Sequence, residues 1–266
     1  MSKAVTKKED NLPSAIEDEI FETAGEGTSY DTSELQIPFV RILQAMSPQL
    51  IKSNPKYIPN ARAGDIFNTV SNQVWDGEEG IVVIPCYQET KYLEFVARGV
   101  TTSDGKSGFQ GFIEPDNPII QQATREKNKE YLPNGNELIK SDQHYCIIID
   151  DGMPQFAILD MAISKLKVSR RWKTQIHMLK IKNKQGIPVT PSLYSNMWKF
   201  KVVEESNPEG VFYNYNFERV GFVQDKGIFQ LARDFRNSVE KGEAKAKVED
   251  IADMGTSTVK AEDDHF

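Results

Sequence analysis

From Met161 to Val203 the chain carries no aspartate or glutamate and ten cations: Lys165, Lys167, Arg170, Arg171, Lys173, Lys180, Lys182, Lys184, Lys199 and Lys201. A solvated surface ordinarily mixes signs to limit self-repulsion, so 43 residues of one sign predict a positive field aimed at a polyanion. The same stretch runs into an aromatic hairpin pattern. In NMWKFKVVEE, Trp198, Phe200 and Val202 alternate with Lys199 and Lys201; in VFYNYNFERV, Tyr213, Tyr215 and Phe217 alternate with Asn214, Asn216 and Glu218, with Arg219 just beyond. Such stripes are most simply core. The functional alternative is a platform on which exposed rings hold successive nucleic-acid bases, at about 1–3 kcal/mol each, while neighbouring cations neutralise phosphates. Tyr92 is a weaker candidate of the same type.

Catalytic signals are poor by comparison. Asp150, Asp151 and Asp160 are the acidic cluster that a Mg²⁺-dependent nuclease would need beside the basic segment. Asp150-Asp151-Gly152 reads more simply as a hairpin turn. His144, Cys146, Cys86 and His177 lack the close spacing of a zinc site, and buried structural roles suit them better. There is no phosphate-binding glycine loop with lysine, no G-x-S-x-G and no metalloprotease helix. The expectation is a binding protein without catalytic residues, cofactor or metal.

The elements that must position these residues follow from hydropathy and charge. The 266-residue chain has a net charge of −7, but residues 1–35 alone carry −6 and residues 243–266 carry −4. The body between them is therefore net positive, at +3. Residues 1–35 read as an acidic amino-terminal arm, in which Ser14 and Glu17 have capping-box spacing before a short amphipathic helix. Residues 36–242 read as one domain. Within it an edge strand near 36–46 is followed by a strand at 65–70, then by a hairpin formed from 80–88 and 91–96 around the turn QET. Residues 99–140 are a long loop or insertion with a helix-like stretch at 118–129. Strands at 143–150 and 154–160 come next, then a helix capped by Ser164, a hairpin from 196–205 and 211–223, and a last helix at 226–241. This order, mainly β with a helix ahead of the final hairpin, predicts an OB-fold-like Greek-key barrel with flanking helices over an immunoglobulin-like sandwich. Residues 243–266 read as a disordered acidic tail closing on Glu262-Asp263-Asp264-His265-Phe266, a bulky aromatic that stays exposed unless a partner holds it. The longest apolar runs are about six residues, against the ~20 of a membrane-spanning helix. With no secretion signal and two cysteines expected to be free, the cytoplasm is the expected compartment.

The tail EDDHF, the basic helix SKLKVSRRWKTQI after the strand ILDMA, and the aromatic hairpin NMWKF…VFYNYNF together resemble bacteriophage single-stranded DNA-binding proteins. The resemblance is architectural over residues 36–266, and the acidic arm and the 99–140 segment depart from it. It implies a protein of the host cytoplasm that coats single-stranded DNA during replication and recombination. Lys165, Lys167, Arg170, Arg171, Lys173, Lys199, Lys201 and Arg219 would meet phosphates, and some of Trp198, Phe200, Tyr213, Tyr215 and Phe217 would stack bases. Glu262, Asp263, Asp264 and Phe266 would recruit phage or host replication proteins, and homo-oligomers are compatible with the pattern. The rival expectations are a virion structural or assembly protein and the metal-dependent nuclease.

Overall fold

The architecture comes from a computed structural model that describes residues 13, 15–23, 26–27, 36–96, 108–126, 129–208 and 210–244. The chain divides into two units, Met1–Leu35 and Gln36–Phe266. The first contains a short helix α1, Glu17–Glu22. Its proposed cap Ser14 and the acidic tail with Glu262, Asp263, Asp264 and Phe266 lie outside the described residues.

The second unit is mainly β. Its described strands are β1 (Phe39–Ile42), β2 (Ile66–Asn68), β3 (Val74–Trp75), β4 (Ile81–Phe95), β5 (Phe109–Ile113), β6 (Thr124–Glu126), β7 (Lys129–Tyr131), β8 (Glu137–Asp150), β9 (Met153–Ala162), β10 (Ile181–Lys182), β11 (Pro188–Val189), β12 (Asn196–Asn207) and β13 (Gly210–Phe222). Helix α2 (Leu166–Met178) lies between β9 and β10, and α3 (Lys226–Glu240) follows β13. One mixed sheet of eleven strands takes the order β13-β12-β4-β8-β9-β1-β2-β3, with β5 on β4 and β7-β6 on β8. Strands β4, β8 and β9 form an antiparallel meander, α2 crosses over, and the hairpin β12-β13 returns to pair β12 with β4. That connectivity is the one anticipated for the OB-fold order. The sheet curls into a half-barrel. Among the described residues β9 pairs in parallel with β1, and β13 meets the segment after β1 through a side chain. The Gln44 amide donates to the Tyr213 carbonyl at 2.9 Å and accepts from the Tyr213 amide at 2.9 Å, taking the place of a neighbouring strand's peptide.

Around β4, β8 and β9 both faces of the sheet are buried, which explains runs such as CIII in β8. Cys146 and Ile148 join Val83, Leu159, Trp198, Phe200 and Tyr215 beneath α2, whereas Tyr145 and Ile147 join Ile84, Ile158 and Phe235 beneath α3. Cys86 and Cys146 belong to these two separate clusters, and both are free thiols. Gly80 makes the close entry to β4 possible. Its φ is +76°, and a Cβ there would sit 2.1 Å from the Phe200 carbonyl oxygen.

Several sequence expectations change. The hairpin around QET is instead one continuous strand, because β8 pairs with β4 all the way from Ile149 to Glu137 and passes Glu89, Thr90 and Lys91 without a turn. No glycine or asparagine offers a positive φ there, and a bulge at Pro85–Tyr87 absorbs the change of twist. The helix-like 118–129 stretch is a 3₁₀ turn, Pro118–Gln122, followed by β6. Proline at the first position and the Asn117 side chain accepting from the Ile119 amide favour the tight turn. Ser164 lies in a 3₁₀ turn one residue before the α2 cap, and no side chain caps α2.

What holds α2 against the sheet is a buried polar chain. Asp142, 1% exposed, accepts from Lys173 at 2.6 Å, Ser169 at 2.6 Å and Thr90 at 2.8 Å. Because Ser169 gives its only proton to Asp142, it accepts from His144 Nε2 at 2.9 Å, which sets the imidazole tautomer. Burial pushes the Asp142 carboxyl up, but Lys173, Ser169 and Thr90 outweigh it and hold the pKa below its usual value. Burial pushes His144 down to about 3, Asp142 opposing and Lys173 reinforcing the shift. Both folded pKa values are depressed, so the stability from these groups is present above their unfolded values and lost on acidification. Unfolding free energy should therefore fall as pH drops from 6.5 towards 3, by about 1.4 kcal/mol per pH unit for the one histidine proton. His144→Gln should flatten that limb in pH-dependent urea melts; an unchanged limb would place the acid sensitivity elsewhere.

Candidate nucleic-acid interface

The alternation expected for β12 is present. Trp198, Phe200 and Val202 point inward and are buried, while Lys199 and Lys201 alternate on the outer face. On β13, Tyr215 and Phe217 are buried, Tyr213 is half-buried, and Asn214 is also buried, donating to Glu205 at 3.1 Å. The stacking assignment is thereby corrected for four of the five rings. Trp198, Phe200, Tyr215 and Phe217 are core because Trp172 of α2 fills the concave side of the half-barrel and packs edge-on against Phe200 at 4.7 Å and Trp198 at 6.2 Å. Tyr213 is tied up too: its ring covers Gly64 and its hydroxyl donates to Glu204 at 3.3 Å.

The cations separate into two groups. Lys165 turns its ammonium inward, where burial lowers its pKa, Asp160 opposes the shift and Arg41 reinforces it. Lys173 is bound to buried Asp142, and removing it would leave that carboxylate without its counter-charge. Lys167 pairs with Glu205 at 2.6 Å on the surface, a bond worth at most about 1 kcal/mol. These three are poor phosphate ligands, the first two decisively so.

The remaining cations face outward. Arg171 lies over the Phe217 ring at 4.8 Å and donates to Asn216 at 2.9 Å. Asn216 stands directly opposite Lys201 on β12, so Arg171, Asn216 and Lys201 form one row from helix to strand. Lys199 stands opposite Glu218 in the same hairpin. Arg170, the residue before Arg171 on α2, is exposed. Arg219 lies 4.4 Å over Phe222, a half-open ring, and its guanidinium is oriented by Asn196 at 3.0 and 3.1 Å. A guanidinium stacked on a ring and braced by an amide keeps donors free for a planar or phosphate ligand. Sequence reasoning marked Arg219 but not Phe222, which continues the strand pattern three residues beyond it.

The acidic trio does not converge. Asp150 pairs in register with Met153, whereas Asp160 lies opposite Gln143, so the seven-residue separation along β9 puts roughly 23 Å between the ends. Asp151 and Gly152 both have positive φ, as the tight β8-β9 turn requires, and Asp160 is bound to Arg41 at 3.2 Å. Among the described residues no three His, Cys, Asp or Glu side chains gather in a metal-binding group. The carboxylate cluster that the rival nuclease reading needs is thus absent from the described residues.

Core and surface assignments predict opposite mutational behaviour. Trp198→Ala or Phe200→Ala should lower folding stability by about 3–5 kcal/mol, whereas Lys199→Ala or Lys201→Ala should change it by less than about 0.5 kcal/mol. Chemical denaturation separates the two sets, and a Trp198→Ala protein as stable as the parent would put that ring back on the surface.

No described helix is long and apolar enough to cross a membrane. No curated protein and no solved structure matches the chain. One family model does, that of the Pam3 phage gp34-like protein, and it spans residues 6–245. It takes in the whole sheet, both helices that cover it and the cationic surface, and the chain belongs to this phage protein family.

Proposed function

We propose that the protein binds single-stranded DNA without sequence preference during phage DNA replication and recombination, and that it is not an enzyme. The observation that carries the reading is the fate of the acid-free segment: after folding, its exposed cations Arg170, Lys180, Lys182, Lys184 and Lys201 form no salt bridge among the described residues, and Arg171 and Lys199, though near Glu205 and Glu218, form none with them either. Phosphates supply what such a surface lacks, and phosphate contacts carry affinity without base information. Bases would rest on the Arg219–Phe222 pair, the ring and guanidinium left open once the aromatic stripe is committed to the core. The tail, net −4 over residues 243–266, would compete for the same cations and offer Glu262, Asp263, Asp264 and Phe266 to replication proteins when displaced. The host cytoplasm follows from that role.

A second reading, virion assembly, has one observation in its favour: β13 is a 13-residue edge strand, and an unpaired edge is a template for a second chain. Stable multimers with no affinity for oligonucleotides would favour it.

The double substitution Arg170→Glu with Arg171→Glu should weaken binding to all single-stranded sequences alike. It should also flatten the dependence of log affinity on log salt by about 0.7 for each phosphate that the variant no longer neutralises. Fluorescence anisotropy of labelled oligo(dT) across a salt series reads both; undiminished affinity in a folded double variant would remove the helix from the interface.

A further inference from the structure

The hairpin β10-β11 stands apart from the main sheet as a separate two-stranded ribbon at the end of α2. Its turn is built for rigidity. Asn183 and Ile187 face each other, the Asn183 side chain accepts from the amides of Gln185 and Ile187 at 2.9 Å each, and Gly186 takes a φ of +79°. At the base Lys180 donates to Thr190. These bonds define the turn and its register.

The two faces of the ribbon differ. Ile181 pairs with Val189 on one face, which Ile187 extends, and all three side chains are exposed, Ile187 to 56%. Met178, at the end of α2 three residues before Ile181, is 71% exposed. Lys182 pairs with Pro188 on the other face, and Lys184 sits in the turn. Three aliphatic side chains exposed on one face of a separate ribbon mark a binding surface. The lysines, and the complete lack of acids between Met161 and Val203, say that the partner is an anion with apolar surfaces between its charges. A single strand of nucleic acid has that composition: phosphates outside, base faces within. A lipid surface is less suited, because the ribbon has none of the Trp or Tyr that anchor at a headgroup boundary.

We propose that the β10-β11 ribbon is a wedge that inserts Ile181 and Ile187 between neighbouring bases of a bound single strand, with Lys182 and Lys184 holding the flanking phosphates. This rests on the single-strand reading above and adds to it a change in the ligand: the strand is unstacked where the ribbon enters. Unstacking a step costs a few kcal/mol, which the aliphatic contacts and phosphate pairs offset.

The test uses the full chain and a single-stranded oligonucleotide containing one 2-aminopurine, whose emission rises when it unstacks. Binding followed by anisotropy should be accompanied by a severalfold rise in that emission. Ile181→Ser with Ile187→Ser should abolish most of the rise while leaving the salt slope of binding unchanged; both side chains are exposed, so the variant keeps its melting temperature. Lys182→Glu with Lys184→Glu should do the reverse, lowering the salt slope while the rise at saturation remains. A wild-type protein that binds without any rise, or an isoleucine variant that retains it, overturns the wedge and leaves single-strand binding standing. Failure of the wild type to bind the oligonucleotide overturns both. Retention on phosphatidylserine vesicles that the isoleucine variant loses would assign the ribbon to lipid instead.

Discussion

Trp172 occupies the core between α2 and the sheet of the second unit. Its indole packs at 4.8 Å from His144, 4.7 Å from Phe200 and 6.3 Å from Phe217, so one side chain of α2 touches the meander and both strands of the last hairpin. A half-barrel has a concave face that water would otherwise enter, and its own side chains do not fill it. The helix must therefore stay docked. Docking is enforced by polar contacts as well as apolar ones: Lys173 and Ser169, on either side of Trp172, both bond Asp142 in the floor of the sheet. Fully satisfied, such a chain of hydrogen bonds fixes the helix rotation about its axis. That rotation decides which cations of the basic helix face inward and which face solvent.

The surface charge of α2 is thus a consequence of how its core face is anchored. Val168, Ser169 and Trp172 are buried, and Lys173 lies on the flank of that face, while Arg170 and Arg171 are turned outward. Position along the chain alone would rank these cations as equals. In three dimensions Lys173 neutralises a carboxylate inside the fold, Lys165 points in beside Arg41 and Asp160, and of the outward pair Arg171 joins Lys201 through Asn216. A further substitution of structure for function occurs on β13, where Gln44 bonds the backbone of Tyr213 and holds the strand that carries Asn216 and Arg219.

Much of the architecture was legible in the sequence for physical reasons. Period-two alternation with lysine marked β12, DDG marked the turn with two positive φ angles, and the apolar spacing of Ile228, Leu231 and Phe235 marked α3. What was not legible came from long-range pairing. Nothing local distinguishes a tight turn at QET from a strand that continues, since the outcome depends on fourteen residues of β8 lying alongside. The aromatic stripe was ambiguous for the same kind of reason: whether a ring stacks on a base or on Trp172 depends on a helix about 26 residues earlier in the chain. The β10-β11 ribbon left no pattern in the sequence because two-residue strands carry too little periodicity to register, although Asn183 and Gly186 flank its turn.

The central claim is that folding sorts the cations of the acid-free segment into structural and ligand-facing sets. Acetylation footprinting of lysines, read residue by residue by mass spectrometry with and without saturating oligo(dT), addresses it most directly. The account predicts protection of Lys182, Lys184, Lys199 and Lys201, with Lys165, Lys167 and Lys173 reacting as they do in the free protein. Protection absent from all four, or found instead at lysines outside the segment such as Lys52 and Lys56, would contradict it.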